Sequence, residues 1–486
     1  MAPHPDARSH LSPLPRPSEL CRFPATALAR MIAERQVSAS EVVAAYLDRI
    51  DEVNGTVNAI VSLRSRGQIL AEAKAADAAQ AAGVRPGPLH GLPIAIKDLA
   101  QTKGLRTTFG SRIFADFVPE EDSYFVSRMR DAGAIIIGKT NVPEFGFGSQ
   151  TYNDVFGATR NAFDPRLSSG GSSGGAAVAL ALHMVPLADG SDLCGSLRNP
   201  AGWNNVFGFR TSPGRVAAGP STELYLSQMS VEGPMARSVA DLALLLGVQA
   251  GYDPRSPLSL DGDFRSSAEK RKEMPWRIAW LGDLGGHLPM EDGVLDACES
   301  ALRGAEAGSF RIEPVIPDFD YEGLWEAFVM LRHASSGMSL KIHYDDAQQR
   351  ELLKPEAIWE IEGGLSLTAP QIYAASTVRS AWYKTVLSLF ERYDLLALPT
   401  AQVFAFDAEL HWPAEIAGRG MDSYHRWMEV TALATMAGCP AIAVPAGFDV
   451  SGRSMGIQLI GRPRADAEVL SAAASYEQVC GIKAGA

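Results

Sequence analysis

Cysteine is scarce and scattered. The chain holds five, Cys21, Cys194, Cys298, Cys439 and Cys480, an odd number with no Cys-x-x-Cys pair. That spacing excludes a disulfide framework and a zinc cluster of the usual kind, and it fits a reducing compartment. Positive charge is also in deficit: 44 Lys and Arg stand against 56 Asp and Glu, a net charge of −12. Non-specific nucleic-acid binding needs a basic footprint, so no nucleic-acid partner is expected. No apolar run reaches the roughly 18 residues of a membrane-spanning helix, so no membrane partner is expected either. The opening "MAPHPDARSHLSPLPRPSEL" is rich in proline and polar residues and lacks the apolar centre of a signal peptide. It reads as a flexible lead-in over residues 1–24, and the location as cytoplasmic.

What is present is enough apolar residue, 46% of 486, to bury a large core. From Ala25 to about Ala82 the pattern is helical, and Ser38-Ala-Ser-Glu41 has the form of a capping box. Next comes "GPLHGLPIAIKD", a short apolar strand opened by turn residues and ending in Lys97. "DSYFVSRMRDAGAIIIGKTN" reads as helix, glycine turn and buried strand. Strand, helix and strand follow again in "WRIAWLGDL", "LDACESALRGAEA" and "RIEPVIPDF", and "YDLLALPT", "CPAIAVPAGF" and "GIQLIG" add three candidate strands. The alternation predicts a single large α/β domain with a core sheet between helical layers and an N-terminal helical flank. The polar stretch "DPRSPLSLDGD" from Asp253 reads as a linker or a surface loop.

The stretch "LSSGGSSGGAAVALALH", Leu167 to His183, decides the class of chemistry. By composition it is a linker. The apolar, helix-prone "AAVALALH" that follows points instead to a loop opening a buried helix, where free backbone N–H groups can meet an anion or a polarised oxygen. A phosphate loop requires Gly-Lys-Ser/Thr, and here Gly174-Gly175 runs into Ala176-Ala177. Gly171-Ser172-Ser173-Gly174-Gly175 does fit the G-x-S-x-G nucleophile elbow, but the polar approach "NAFDPRLSS" is not the buried strand that motif needs.

A second small-residue loop, Ser191-Asp-Leu-Cys-Gly-Ser196, follows the strand-like "MVPLA". Two serines in glycine-rich turns and Lys97 at a strand end can supply nucleophile, relay and base without histidine. Such chemistry needs a neutral lysine, which burial favours. Taken singly, a lysine ending a strand is usually a solvated edge residue, and Ser172 or Ser196 a turn or cap serine. Their weight lies in occurring together.

These motifs carry a resemblance. From about Ala25 to the C-terminus the chain resembles the amidase signature family of hydrolases. The strongest parts are "GPLHGLPIAIKD", "NVPEFGFGSQTYNDVFGATRNAFDPRLSSGGSSGGAA" and "GSDLCGSLRNPAGWNNVFGFRTSPGRV", and the 24-residue separation of Ser172 and Ser196 is that of the family pattern. Weaker echoes are "VEGPMARSVADLALLL", "YDLLALPT" and "GCPAIAVPAGF". The resemblance implies a large mixed β-sheet sandwiched by helices in an amidase domain over 25–486. Within it the helical flank would cover about 25–85 and the catalytic core about 86–250. The rest of the core and the pocket loops would cover about 251–486.

The resemblance implies a serine hydrolase that cleaves carboxylic amides through an acyl-enzyme. Aryl amides, esters and carbamates are candidate substrates beside them, and neither metal nor organic cofactor is expected. Ser196 would be the nucleophile, Ser172, after a cis peptide bond, the relay, and Lys97 the general base. Backbone N–H groups of Leu193, Cys194, Gly195 and Ser196 would form the oxyanion hole. Asp192 and Arg198 would brace that loop by hydrogen bonds or an ion pair. Gly146, Phe147 and Gly148 would lie beside the acyl pocket, and Tyr225 and Leu226 are further candidates for substrate contact. The apolar stretches "LYLSQM", "HLPM" and "VFAFDAEL" are candidate pocket walls. One departure stands out: where the family usually has Gly-Gly before the nucleophile, this chain has Cys194-Gly195.

Three other readings stay open. The A-type component of a glutamyl-transfer-RNA amidotransferase shares the same core, but that branch usually carries Cys-Gly and Lys-Pro-Thr after the nucleophile, where this chain has "WNNVFGFRTSPGRV". An α/β-hydrolase esterase would use Ser173 with His411 or His425 in the order Ser, Asp, His. A catalytically dead binding relative would not need the intact Lys97, Ser172 and Ser196. The oligomeric state is open, with a homodimer as one candidate.

Overall fold

The computed structural model describes residues 14–262, 264, 275–306 and 308–482. Its frame is an eleven-stranded mixed sheet with helices on both faces. In chain order the strands are β1 (Ile60–Val61), β2 (Pro93–Lys97), β3 (Ile135–Thr140), β4 (Leu187–Asp192), β5 (Phe207–Arg210), β6 (Val231–Ala236), β7 (Trp276–Trp280), β8 (Phe310–Pro314) and β9 (Leu395–Pro399). A separate hairpin, β10 (Glu415–Ile416) and β11 (Arg419–Gly420), precedes β12 (Ala441–Phe448) and β13 (Ser454–Ile460). The spatial order is β1-β3-β2-β4-β6-β5-β12-β13-β9-β7-β8. Strands from both sides of the polar stretch after Asp253 thus share one sheet, so that stretch does not separate two domains.

β2 runs parallel to both β3 and β4, and all three strands are buried along their length. This is why β2 reads as an unbroken apolar run: a strand covered on both faces has no solvent side to alternate with. Parallel neighbours also end at the same edge of the sheet, so the C-terminal ends of β2 and β4 meet there.

The N-terminal flank forms as its pattern predicts. Helices cover Ala25–Ala33, Ala39–Val57 and Arg66–Ala81, and Ser38 and Glu41 complete the reciprocal capping box. The expected flexible lead-in is corrected over its described part. Glu19–Arg22 is a short helix whose Cys21 is fully buried, and the Cys21 carbonyl accepts from Tyr46 and Arg237. Apolar burial and three hydrogen bonds from Arg49 and Arg237 to the carbonyls of Pro15, Cys21 and Phe23 fix this segment to the core. Residues 1–13 of that expectation lie outside the described residues. Among the described residues no helix is long and apolar enough to cross a membrane.

Candidate active site

The Gly-Ser stretch is neither a linker nor exposed. Ser168 to Ser173 are buried, and side chains from two other segments hold their backbone. The Ser149 hydroxyl donates to the Gly171 carbonyl, 2.9 Å, and the Thr151 hydroxyl to that of Gly170, 2.8 Å. Asn204 Nδ2 donates to the Ser169 carbonyl, 2.8 Å. The stretch opens the helix Gly174–Ala181, which is buried on every side. At Gly175 a Cβ would stand 2.4 Å from the Asn141 backbone nitrogen, so only glycine lets the helix start approach β3 this closely. The Gly171–Ser172 peptide bond is cis.

This loop delivers its serines to Lys97 at the end of β2. Lys97 is 1% exposed, and its Nζ lies 2.8 Å from Ser172 Oγ, 2.8 Å from Ser173 Oγ and 2.9 Å from Ser191 Oγ. The lysine backbone N–H donates to the carboxylate of Asp189 on β4, which locks the two strand ends together. Burial pushes Lys97 below the ordinary lysine value, while the negative charges of Glu232, Asp189 and Asp192 pull it back. Burial raises Asp189 to about 6, against the Lys97 N–H and the charges of Lys139 and Lys97. Glu232 is raised as well, by burial first, and Lys97 opposes that. A neutral amine keeps a lone pair, so this environment lets Lys97 accept a proton from a neighbouring hydroxyl.

Ser172 and Ser196 line one cavity of about 310 Å³. The Ser173 N–H donates to the Ser196 carbonyl, 3.2 Å, which ties the two loops. Of the residues expected beside substrate, Gly146, Phe147 and Gly148 line the cavity, as do Leu193 and Cys194. Tyr225 and Leu226 do not: they are 63% and 81% exposed and stand outside its lining. Their backbone N–H groups are turned onto the Glu223 carboxylate, and from that stretch it is Ser227 that reaches the cavity. The expected walls "HLPM" and "VFAFDAEL" are absent from the lining of this cavity.

The loop carrying Ser196 is braced as expected. Arg198 meets the Asp192 carboxylate with two N–H groups, at 3.0 and 2.8 Å, and both side chains are fully buried. Arg210 adds a contact to Asp192 Oδ1 at 3.2 Å. Burial alone would raise Asp192, but the two guanidinium charges and the loop N–H groups hold it well below the usual carboxylate range. One of those donors is Gly195, whose N–H lies 2.9 Å from Asp192 Oδ1. This corrects its expected place in the oxyanion hole: a buried carboxylate has claimed the donor. Among the described residues, no acceptor is found for the N–H groups of Leu193, Cys194 and Ser196. Burial pushes the Cys194 thiol up to about 11, so it stays a neutral wall of the cavity.

The nucleophile-elbow alternative lacks its frame. Ser173 is preceded by turns and not by a strand, it is fully buried, and it is absent from the cavity lining. His411 stacks on Tyr152, and His425 Nδ1 is 3.0 Å from Ser423 Oγ. Among the cavity residues that the pattern of the chain did not single out are Glu232, Arg332, Tyr424 and Met428. Glu232 lies in β6, a strand not identified from the sequence, within a stretch noted only as a weaker echo of the family. Arg332 ends a helix, and Tyr424 and Met428 lie in and just after a turn, where no local motif marks them.

The geometry is a buried lysine among three hydroxyls at the end of a strand of a mixed sheet. The family model described as Amidase matches residues 41–470. An acylamidase from Rhodococcus erythropolis is 35% identical over 463 residues, covering 94% of this chain and 95% of the relative. The A-type component of the glutamyl-tRNA(Gln) amidotransferase of Moorella thermoacetica is also 35% identical, over 483 residues, covering 95% and 97%. The crystal structure of a bacterial aryl acylamidase of the amidase signature family superimposes with a TM-score of 0.89 at 28% identity, covering 96% of this chain and all of that one. The chain belongs to the amidase signature family.

Proposed function

We propose that this protein is a stand-alone amidase that hydrolyses carboxylic amides, aryl amides among them, through an acyl-enzyme on Ser196. The observation that carries this reading is Lys97 Nζ, buried and 2.8 Å from Ser172 Oγ in the cavity that Ser196 also lines. Ser196 Oγ attacks the amide carbonyl while its proton passes through the Ser172 hydroxyl to neutral Lys97. The N–H groups of Leu193, Cys194 and Ser196 hold the tetrahedral oxygen, which is where such donors contribute most. Lys97 returns the proton through Ser172 to the leaving nitrogen, the C–N bond breaks, and water repeats the sequence on the acyl-serine. Cytoplasmic location and turnover of esters or carbamates belong to the same reading.

Hydrolysis of anilides, primary amides, esters and aryl carbamates by the purified protein, beside Ser196→Ala and Ser173→Ala, tests it. Loss of turnover in Ser196→Ala with retention in Ser173→Ala is expected, and the reverse would overturn the assignment. A second reading, the A-type component of an amidotransferase, is favoured by the 35% identity to that relative. It predicts co-purification with the other components of such a complex and glutamine-dependent ammonia release only in their presence. Turnover of simple amides by the isolated chain decides against it.

A further inference from the structure

The cavity carries a cation that acyl transfer does not use. Arg332 ends the helix Tyr321–Arg332, is 5% exposed, and lines the cavity. Its Nε–H donates to Glu360 Oε1, and an Nη2–H donates to the Tyr424 hydroxyl, 2.8 Å. The guanidinium lies over the Phe147 ring, 5.2 Å from its centroid. Glu360 is saturated in turn, since the Tyr424 hydroxyl donates to Oε1 and His333 Nδ1 lies 2.9 Å from Oε2. The guanidinium is therefore fixed in position before any substrate arrives. Among the described residues no acceptor pairs with its Nη1. Five N–H donors in a rigid fork, with one edge unpaired in a buried cavity wall, call for an acceptor from the cavity side.

Charge decides what kind of acceptor. Glu360, fully buried and held down to about 2 by Arg332 and the neighbouring histidines against its own burial, already balances Arg332. A substrate carboxylate would add an unbalanced negative charge to a cavity that also holds Glu232. A neutral carbonyl oxygen gains a charge-assisted hydrogen bond without that cost. Phe147, over which the guanidinium lies, lines the same cavity as Ser172 and Ser196, beside Gly146 and Gly148.

Resting on the amidase reading of the site, we infer that Arg332 Nη1 binds a neutral carbonyl oxygen in the acyl portion of the substrate. The preferred substrates are amides whose acyl chain carries a second, uncharged carbonyl group. Arg332 is then a specificity group that touches substrate away from the reacting bond, with Glu360 and Tyr424 positioning it.

Calorimetric binding to full-length Ser196→Ala tests this with matched anilides. The probes are hexananilide, 5-oxohexananilide and glutaranilate, with pentananilide and 4-oxopentananilide as a shorter pair. In at least one pair the ketone should bind about tenfold tighter than its alkyl counterpart, the scale of one hydrogen bond to a charged donor. Glutaranilate should bind more weakly than 5-oxohexananilide. Adding Arg332→Lys, which keeps a cation opposite Glu360 but removes the fork, should bring the ketone-to-alkyl ratio to about 1. Adding Glu360→Gln instead should shift the preference toward glutaranilate, because the arginine charge is then unbalanced. The inference is overturned by equal binding within both pairs, by a ketone preference that survives Arg332→Lys, by tightest binding of glutaranilate to the parent variant, or by no binding of any probe. Failure of the amidase reading shows separately, as turnover of hexananilide that persists in Ser196→Ala.

Discussion

Lys97 Nζ stands 2.8 Å from Ser172 Oγ because a strand end and a loop from elsewhere in the chain meet there. The lysine ends β2, and the serine sits in a buried loop that other side chains hold in place. Neither residue could be brought there by its own segment alone.

Removing any one of the three groups should stop the reaction. Ser196→Ala and Lys97→Ala are expected to lower kcat roughly 10⁴-fold or more, and Ser172→Ala to leave a trace at most. The Lys97→Ala/Ser196→Ala double variant should be no worse than either single one, since groups that act as a unit are not additive. Initial rates on an anilide check this, and full activity in Lys97→Ala would sink the mechanism.

A lysine base predicts an alkaline limb. Burial lowers Lys97, so kcat/KM should rise with pH and level off below the ordinary lysine value of about 10.4. Glu232 favours the ammonium form, and Glu232→Gln removes that charge. The limb should then move about one unit toward acid, the low end of what a neighbouring charge shifts. A limb displaced toward alkali, or unmoved, contradicts the assignment of Lys97 as the titrating group.

The Asp192–Arg198 pair should be worth most when broken on one side. Both partners are fully buried, and Arg198 also donates to the Thr431 carbonyl and to Gln458 Oε1. Arg198→Ala leaves a carboxylate with only Arg210 as a charged partner, and the expected cost is about 3–5 kcal/mol in urea unfolding. A loss under about 1 kcal/mol would show that Arg210 and the loop N–H groups suffice.

Cys194 should be chemically quiet although it borders the cavity. Its thiol is buried and raised to about 11, so little thiolate forms near neutral pH. Iodoacetamide at that pH should leave Cys194 unmodified by peptide mass spectrometry and activity intact. Rapid alkylation with loss of turnover would make it a reactive part of the site. Gly195→Ala is expected to behave differently. Gly195 has φ +89°, and an added Cβ would lie 2.6 Å from Thr431 Oγ1, so turnover should fall while Cys194→Ala retains it.

Much of the molecule was legible in the chain because it depends on local pattern. The helical flank follows from three-to-four spacing and the Ser38–Glu41 cap, and the core strands from apolar runs between turn residues. Lys97, Ser172 and Ser196 could be singled out as candidates because a lysine ending an apolar strand and two serines in glycine-rich turns occur together. What spacing cannot carry is direction. Gly195 belongs to the expected donor loop, yet its N–H turns to Asp192, because that carboxylate, buried with Arg198 and Arg210, draws donors from its own loop. Tyr225 and Leu226 lie in a stretch that does reach the cavity, but Glu223 folds their backbone outward and presents Ser227 instead.

The far wall of the cavity depended wholly on packing. Arg332, Tyr424 and His425 come from segments about 90 residues apart, and Glu360 joins them between. In the chain each is an ordinary polar residue near a helix. Only burial makes them a unit, since an arginine withdrawn from water must find a carboxylate and a hydroxyl, and the packing of the helical layer against the sheet settles which ones are within reach. Local pattern in the chain was enough for most of the strand and helix plan, and the order of its longer motifs for the family. Which donors point into the cavity, and what charge its wall presents, came from the folded arrangement alone, because both depend on which buried groups compete for the same hydrogen bonds.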